Sequence, residues 1–233
     1  MASGVLHKLL DLTNFRNPFL RTAIPSVAAA FALQTAVAIP SIVAQSERFF
    51  DASGSVTFLA VTVLSLYLPS LRVRAAASLA GIPKPPFPSL LSALTGGPGG
   101  FHWRQVALSG AVVFWSVRCS SLLFLLFRRI LHQGHDSRFD RIRAKPARFA
   151  GAWVGQAMWV SLCLAPVLAI NAVPPAVLAA VPLRATDVIG LGLFVGGFAL
   201  EIVADRQKGD WLARRKEKLH DEQFITSGLF SKR

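Results

Sequence analysis

Cysteine occurs only twice in the 233 residues, as Cys119 and Cys163, both inside apolar runs and without CxxC spacing. That pair offers no thiolate metal cluster, and both thiols read as small fillers of a packed interior. Histidine adds no metal site either. His132 and His135 flank Gln133 and Gly134, nothing further completes a ligand set, and the glycine marks a turn, so HQGH reads as a loop. Walker A, GxSxG and Rossmann patterns are missing; GLGLFVGG at 190–197 is rich in glycine but follows no strand, which excludes a soluble dinucleotide fold. No secretory leader is expected, because VLHKLL is interrupted by His7 and Lys8 and no small-residue cleavage site follows. The first spanning helix is expected to direct insertion.

Apolar length is what the chain has in abundance. Hydrophobic residues make up 53% of it, in long blocks rather than short alternations, and the net charge is +13. Runs of about 18 or more apolar residues cross a bilayer as helix. Five segments qualify: 24–45, 54–71, 106–127, 149–171 and 187–204. Backbone groups in hydrocarbon must be satisfied internally, so the expected fold class is all-α, one polytopic bundle of about five transmembrane helices.

Between the first two helices, AQSERFFDASGS reads as a tight hairpin in which Asp51, Ser53 and Gly54 supply turn and N-cap chemistry. Residues 72–104 read as a loop, because Pro83, Pro85, Pro86 and Pro88 interrupt the apolar pattern. A second loop, 128–148, carries seven Arg or Lys, and the tail from Arg206 carries eight more. Both are expected on the cytosolic side, with residues 205–233 as a basic tail. That arrangement sends the N-terminus and 72–104, with seven basic residues, across the membrane. Either the N-terminus is luminal, or 72–104 hides a short re-entrant segment. Since the basic residues are shared among membrane-flanking loops, lipid headgroups rather than nucleic acid are the expected contacts.

Four charged residues stand out. At 100° per residue, Glu201, Asp205 and Lys208 fall within about 60° of one another on the last helix. A carboxylate pair at the edge of an apolar run needs a cation or a wet cavity. The plainer alternative is that Asp205, Arg206, Gln207 and Lys208 mark the membrane interface. Gly192 and Gly196 upstream form a small-xxx-small pair that allows close helix approach. Arg118 sits near the middle of its run, too deep to reach the surface easily, and needs a carboxylate, backbone carbonyls or a ligand phosphate. Glu47 and Asp51 share i, i+4 spacing in a connector, where spacing alone supports no catalysis.

DSRFDRIR (136–143), GQAMWVSLCLAPVLAINA (155–172), GFALEIVADRQK (197–208) and SGLF (227–230) together resemble the steroid 5-alpha-reductase C-terminal superfamily, in its domain-of-unknown-function 1295 branch. QTAVAIPSIVAQSERFFDASGS and SLYLPSLR extend the resemblance through the front half. It implies a membrane bundle that binds NADPH from the cytosolic side, in the endoplasmic reticulum, and reduces an activated carbon–carbon double bond of a lipid or sterol-like substrate. By the same resemblance, Asp205 helps hold the cofactor and Glu201 contributes polar contacts beside it, with Lys208 and Arg118 as cationic candidates. In the family the stretch equivalent to SGLFSK continues into Ser-Arg-His-Pro-Asn-Tyr on the cofactor. Here the sequence reads SGLFSKR, so a C-terminally shortened chain with impaired activity is expected. Relatives that transfer methyl groups to isoprenylcysteine leave methyl transfer as one alternative, and a non-enzymatic membrane protein as another.

Overall fold

The computed structural model describes residues 2–91, 93, 100–131 and 136–231. The histidines of HQGH, His132 and His135, lie outside the described residues, as do the side chains of 119–131, Cys119 among them. All regular structure among the described residues is helical: α1 (Ala2–Leu12), α2 (Pro18–Val43), α3 (Phe50–Leu79), α4 (Trp103–Leu131), α5 (Pro146–Ala172), α6 (Pro175–Ala179) and α7 (Ala185–Lys216). Two compact units divide the chain, Met1–Val181 and Pro182–Arg233. Four helices, α2, α3, α5 and α7, are long and apolar enough to cross a bilayer. The 29-residue α4 covers the remaining expected segment. The fold is an all-α polytopic membrane bundle.

In the first unit, α5 packs on α2 and α3, and α3 also packs on α2 and α4. Small residues set the spacing: Ala23, Ala30 and Ala38 are buried on α2, and Ala30 and Ala23 meet Phe58, Val61, Val160, Leu164 and Leu168 in the main core. Side chains this short let backbones approach closely, the usual basis of helix association where lipid supplies no hydrophobic contrast. Other large aliphatic side chains point outward; Ile39, Val43, Val56, Val63 and Leu162 are exposed.

Polar groups stitch the interior. Gln34 Nε2 donates to Thr57 Oγ1 at 2.7 Å, and Ser53 Oγ donates to Gln34 Oε1 at 3.3 Å, joining α2 to α3. Asn171 Nδ2 donates to Ser65 Oγ at 2.9 Å and Ser109 Oγ at 3.1 Å, joining α5 to α3 and α4. Such bonds average about 0.6 kcal/mol in membranes, up to about 1.7.

Arg72 explains how α1 is tied down. Pro25 lacks an N–H, so the Arg21 carbonyl four residues earlier loses its helical donor. Arg72 Nη2 supplies one at 2.9 Å, and the same guanidinium bonds Leu10 O, Thr13 O and Thr13 Oγ1 near the end of α1. One planar fork thereby satisfies carbonyls from two helices.

Three long helices end alike. Ser46 N donates to Ser41 O, Ile82 N to Ala77 O, and Leu219 N to Arg214 O, each beside a residue with positive φ: Gln45, Gly81 and Lys218. This is the Schellman reversal, which satisfies the last carbonyls of a helix.

Four expectations need correction. Cys163 is exposed rather than a filler of the interior. Phe49, not Asp51, Ser53 or Gly54, is the N-cap of α3, and it makes no side-chain capping bond. Asp51 sits in the first helical turn, where its charge suits the positive end of the helix dipole. The 72–104 loop starts later, because α3 runs to Leu79 before Gly81 and the prolines stop it. The last helix does not stop at 204: α7 continues to Lys216, with Arg214, Arg215 and Lys216 favourably placed at its negative end.

Candidate functional site

α7 begins where Arg184 N donates to Asp187 Oδ2 at 2.9 Å, satisfying one of the free donors of a first turn. Its first sixteen residues are almost entirely apolar, and from Glu201 onward charged residues dominate. Glu201 is half-buried, whereas Asp205 and Lys208 are exposed. The three form the single stripe that their spacing requires. Arg118 belongs to the other unit, half-buried in α4 about 22 Å from the start of that helix.

A second stripe on α7 was not legible as a site. Gln207, Asp210, Trp211 and Arg214 lie roughly 140° around the helix from the carboxylates. The chain reverses at Lys218 and returns along this second face, enclosing a cavity of about 360 Å³ between those four residues and Leu219, His220, Glu222, Thr226 and Ser227. Glu201, Asp205 and Lys208 are not among its lining residues. Gly228 closes the return. Leu229 N donates to Gln207 Oε1 at 2.9 Å, and with φ at +62° any Cβ at 228 would stand 2.5 Å from that oxygen.

Inside the cavity, His220 and Trp211 rings lie 5.1 Å apart at 34°, and His220 Nε2 is 3.1 Å from Trp211 O. That contact requires the proton on Nε2, which makes Nδ1 an acceptor in the neutral ring. Nδ1 and the Trp211 indole N–H are both buried without a partner among the described residues. Arg215 lies over the Trp211 ring at 5.3 Å. The cavity is thus lined by the Arg214 cation, the Asp210 and Glu222 carboxylates and the Thr226 and Ser227 hydroxyls, with the Trp211 N–H and His220 Nδ1 buried in its wall.

DSRFDRIR, by contrast, folds as a latch. Its Ser137–Phe139 turn buries Phe139 against Phe50, Phe149 and the cluster around Trp153. Arg143 reaches Glu47 at 2.9 Å and Asp140 at 3.1 Å, while Arg138 reaches Asp136 at 2.6 Å and Asp51 at 3.2 Å. The hydrogen bond to Asp136 pushes the Arg138 guanidinium further above its already high ordinary value, so it stays charged. Glu47 and Asp51 therefore hold a loop in place.

A family model described as "Protein of unknown function (DUF1295)" matches residues 85–232, more than half of the chain. The chain belongs to the DUF1295 family. The matched region holds the latch, α5 and all of α7, so both stripes of the last helix lie within what defines DUF1295 membership. No curated protein and no solved structure matches the chain.

Proposed function

We propose that this DUF1295 protein is a membrane-embedded, NADPH-dependent reductase of an activated carbon–carbon double bond in a lipid or sterol-like substrate, working in the endoplasmic reticulum. The resemblance to steroid 5-alpha-reductases motivates the reading. The observation that carries it is the polar cavity on α7, where the Trp211 N–H and His220 Nδ1 lack partners beside Arg214.

Those residues suit part of a dinucleotide. Arg214 offers a charge-assisted hydrogen bond to phosphate, and Thr226 and Ser227 add hydroxyls beside it. At about 360 Å³ the cavity is at the small end of ligand sites, which span about 300–1,000 Å³, and holds one end of the cofactor. On the other stripe Asp205 and Glu201 accept hydrogen bonds from ribose hydroxyls, and Lys208 serves as a cation for phosphate. The nicotinamide supplies the hydride; the protein supplies position and electrostatics.

The test is direct titration of the purified full chain in detergent with NADPH, NADH and S-adenosylmethionine, read by tryptophan fluorescence and calorimetry. Saturable NADPH binding that weakens about tenfold in Arg214→Ala is expected, as for a lost charge-assisted bond. Binding of S-adenosylmethionine in place of NADPH would select methyl transfer, and binding of neither would select a non-enzymatic protein.

A further inference from the structure

The first unit holds a larger and chemically different cavity, about 770 Å³, at the end of the bundle where α2 starts and α3 and α5 finish. Its walls are mostly apolar: Pro69, Val73, Ala76, Ile82, Pro83 and Val173 are among them. Only Arg21, Thr22 and Arg72 interrupt that lining with polar side chains. The volume sits within the range of sites that enclose a small molecule, roughly 300–1,000 Å³.

The two arginines are not equivalent. Arg72 is buried and fully engaged with the carbonyls of Leu10, Thr13 and Arg21. Arg21 is exposed, and its guanidinium makes no hydrogen bond or ion pair among the described residues. Both arginines line the cavity, and the Arg21 charge acts on Arg72. Arg74, just outside, is spent on the Pro85 carbonyl and the Phe87 ring. Arg16 and Lys84 add positive charge nearby in the sequence, and Asp11 on α1 is the acidic residue that acts on Arg72. A positive wall with an open guanidinium, next to a long apolar trough at the end of a membrane bundle, complements one ligand class: an amphiphile with an anionic head and a hydrocarbon chain.

We infer that this cavity is a binding site for an anionic phospholipid, with an acyl chain along the Val73–Ala76–Ile82 wall and the phosphate at Arg21. The site contains no carboxylate and no orphaned acid or base, so the lipid is a resident ligand rather than a reactant. The inference is independent of any reductase activity.

The full chain, stripped of lipid in a mild detergent, is titrated with dioleoylphosphatidylglycerol, dioleoylphosphatidylcholine and glycerol 3-phosphate. Retained lipid is read by native mass spectrometry and unfolding by a thermal melt. Phosphatidylglycerol is expected to be retained as one copy and to raise the melting temperature more than phosphatidylcholine does. Arg21→Gln keeps the carbonyl that Arg72 uses, so it folds, and it is expected to lower the preference for the anionic lipid about fivefold. Ala76→Trp, at an exposed position, fills the trough and is expected to abolish retention of both lipids. Equal retention of the two lipids by the wild-type chain, or an unchanged preference in Arg21→Gln, overturns the site. A full shift with glycerol 3-phosphate alone also overturns it, because it shows that no acyl chain is needed.

Discussion

Glu47 Oε1 accepts from Arg143 Nη2 at 2.9 Å and from the backbone N–H of Asp136 at 3.2 Å, bridging 96 residues of sequence with one carboxylate. The side chain is 8% exposed and that of Arg143 27%, so water screens the pair only partly.

Replacing Glu47 with Ala removes the carboxylate that Arg143 and the Asp136 N–H share. A loss of about 1–3 kcal/mol is expected, as for other partly buried charged groups deprived of a partner. A double-mutant cycle of Glu47→Ala with Arg143→Ala, read by denaturant unfolding in detergent, should show strong coupling; additive effects would contradict the latch.

Gln34 spans α2 and α3 by contacts to both Thr57 and Ser53. Gln34→Ala is expected to cost about 1–2 kcal/mol, the hydrogen bonds plus the cavity left behind. Thr57→Val, similar in shape but unable to bond, should cost less, about 0.6 kcal/mol. Unfolding by a denaturing detergent measures both.

Lys218 holds a left-handed conformation, φ +58°, at the reversal after α7. Lys218→Gly removes the strain of a Cβ there and is expected to stabilise the second unit by about 0.5–1 kcal/mol. Hydrogen exchange of residues 217–231 should slow; faster exchange would count against the reversal.

Gly228→Ala should do the opposite. Its Cβ meets Gln207, breaking the Leu229 bond, at a cost of about 1–2 kcal/mol that limited proteolysis of the 217–231 segment would detect.

Much of the fold was legible because membrane helices announce themselves by length. The apolar blocks located every long helix, but α3 outruns its block and stops only before Gly81 and the proline cluster. Gln45 and Lys218 gave no such sign, since neither residue type favours positive φ and only the closing hydrogen bonds reveal the reversal. Arg72 looked like a loop charge, yet its role follows from Pro25, 47 positions away, whose missing N–H frees the Arg21 carbonyl. The charged latch was read as a topology signal because Glu47 and Arg143 meet only in three dimensions. Of the candidate site, the Glu201–Asp205–Lys208 stripe followed from helical period. Trp211 and His220 could not be foreseen, because a tertiary reversal brings them together.

α7 runs unbroken for 32 residues, about 48 Å, whereas bilayer hydrocarbon is about 30 Å thick. A span that enters hydrocarbon near its first residues leaves it after about 20 of them, and Trp211 then lies about 9 Å further along the same stiff rod. Whatever docks there meets the surface at a constant distance and angle, like a tool on a jig rather than on a tether.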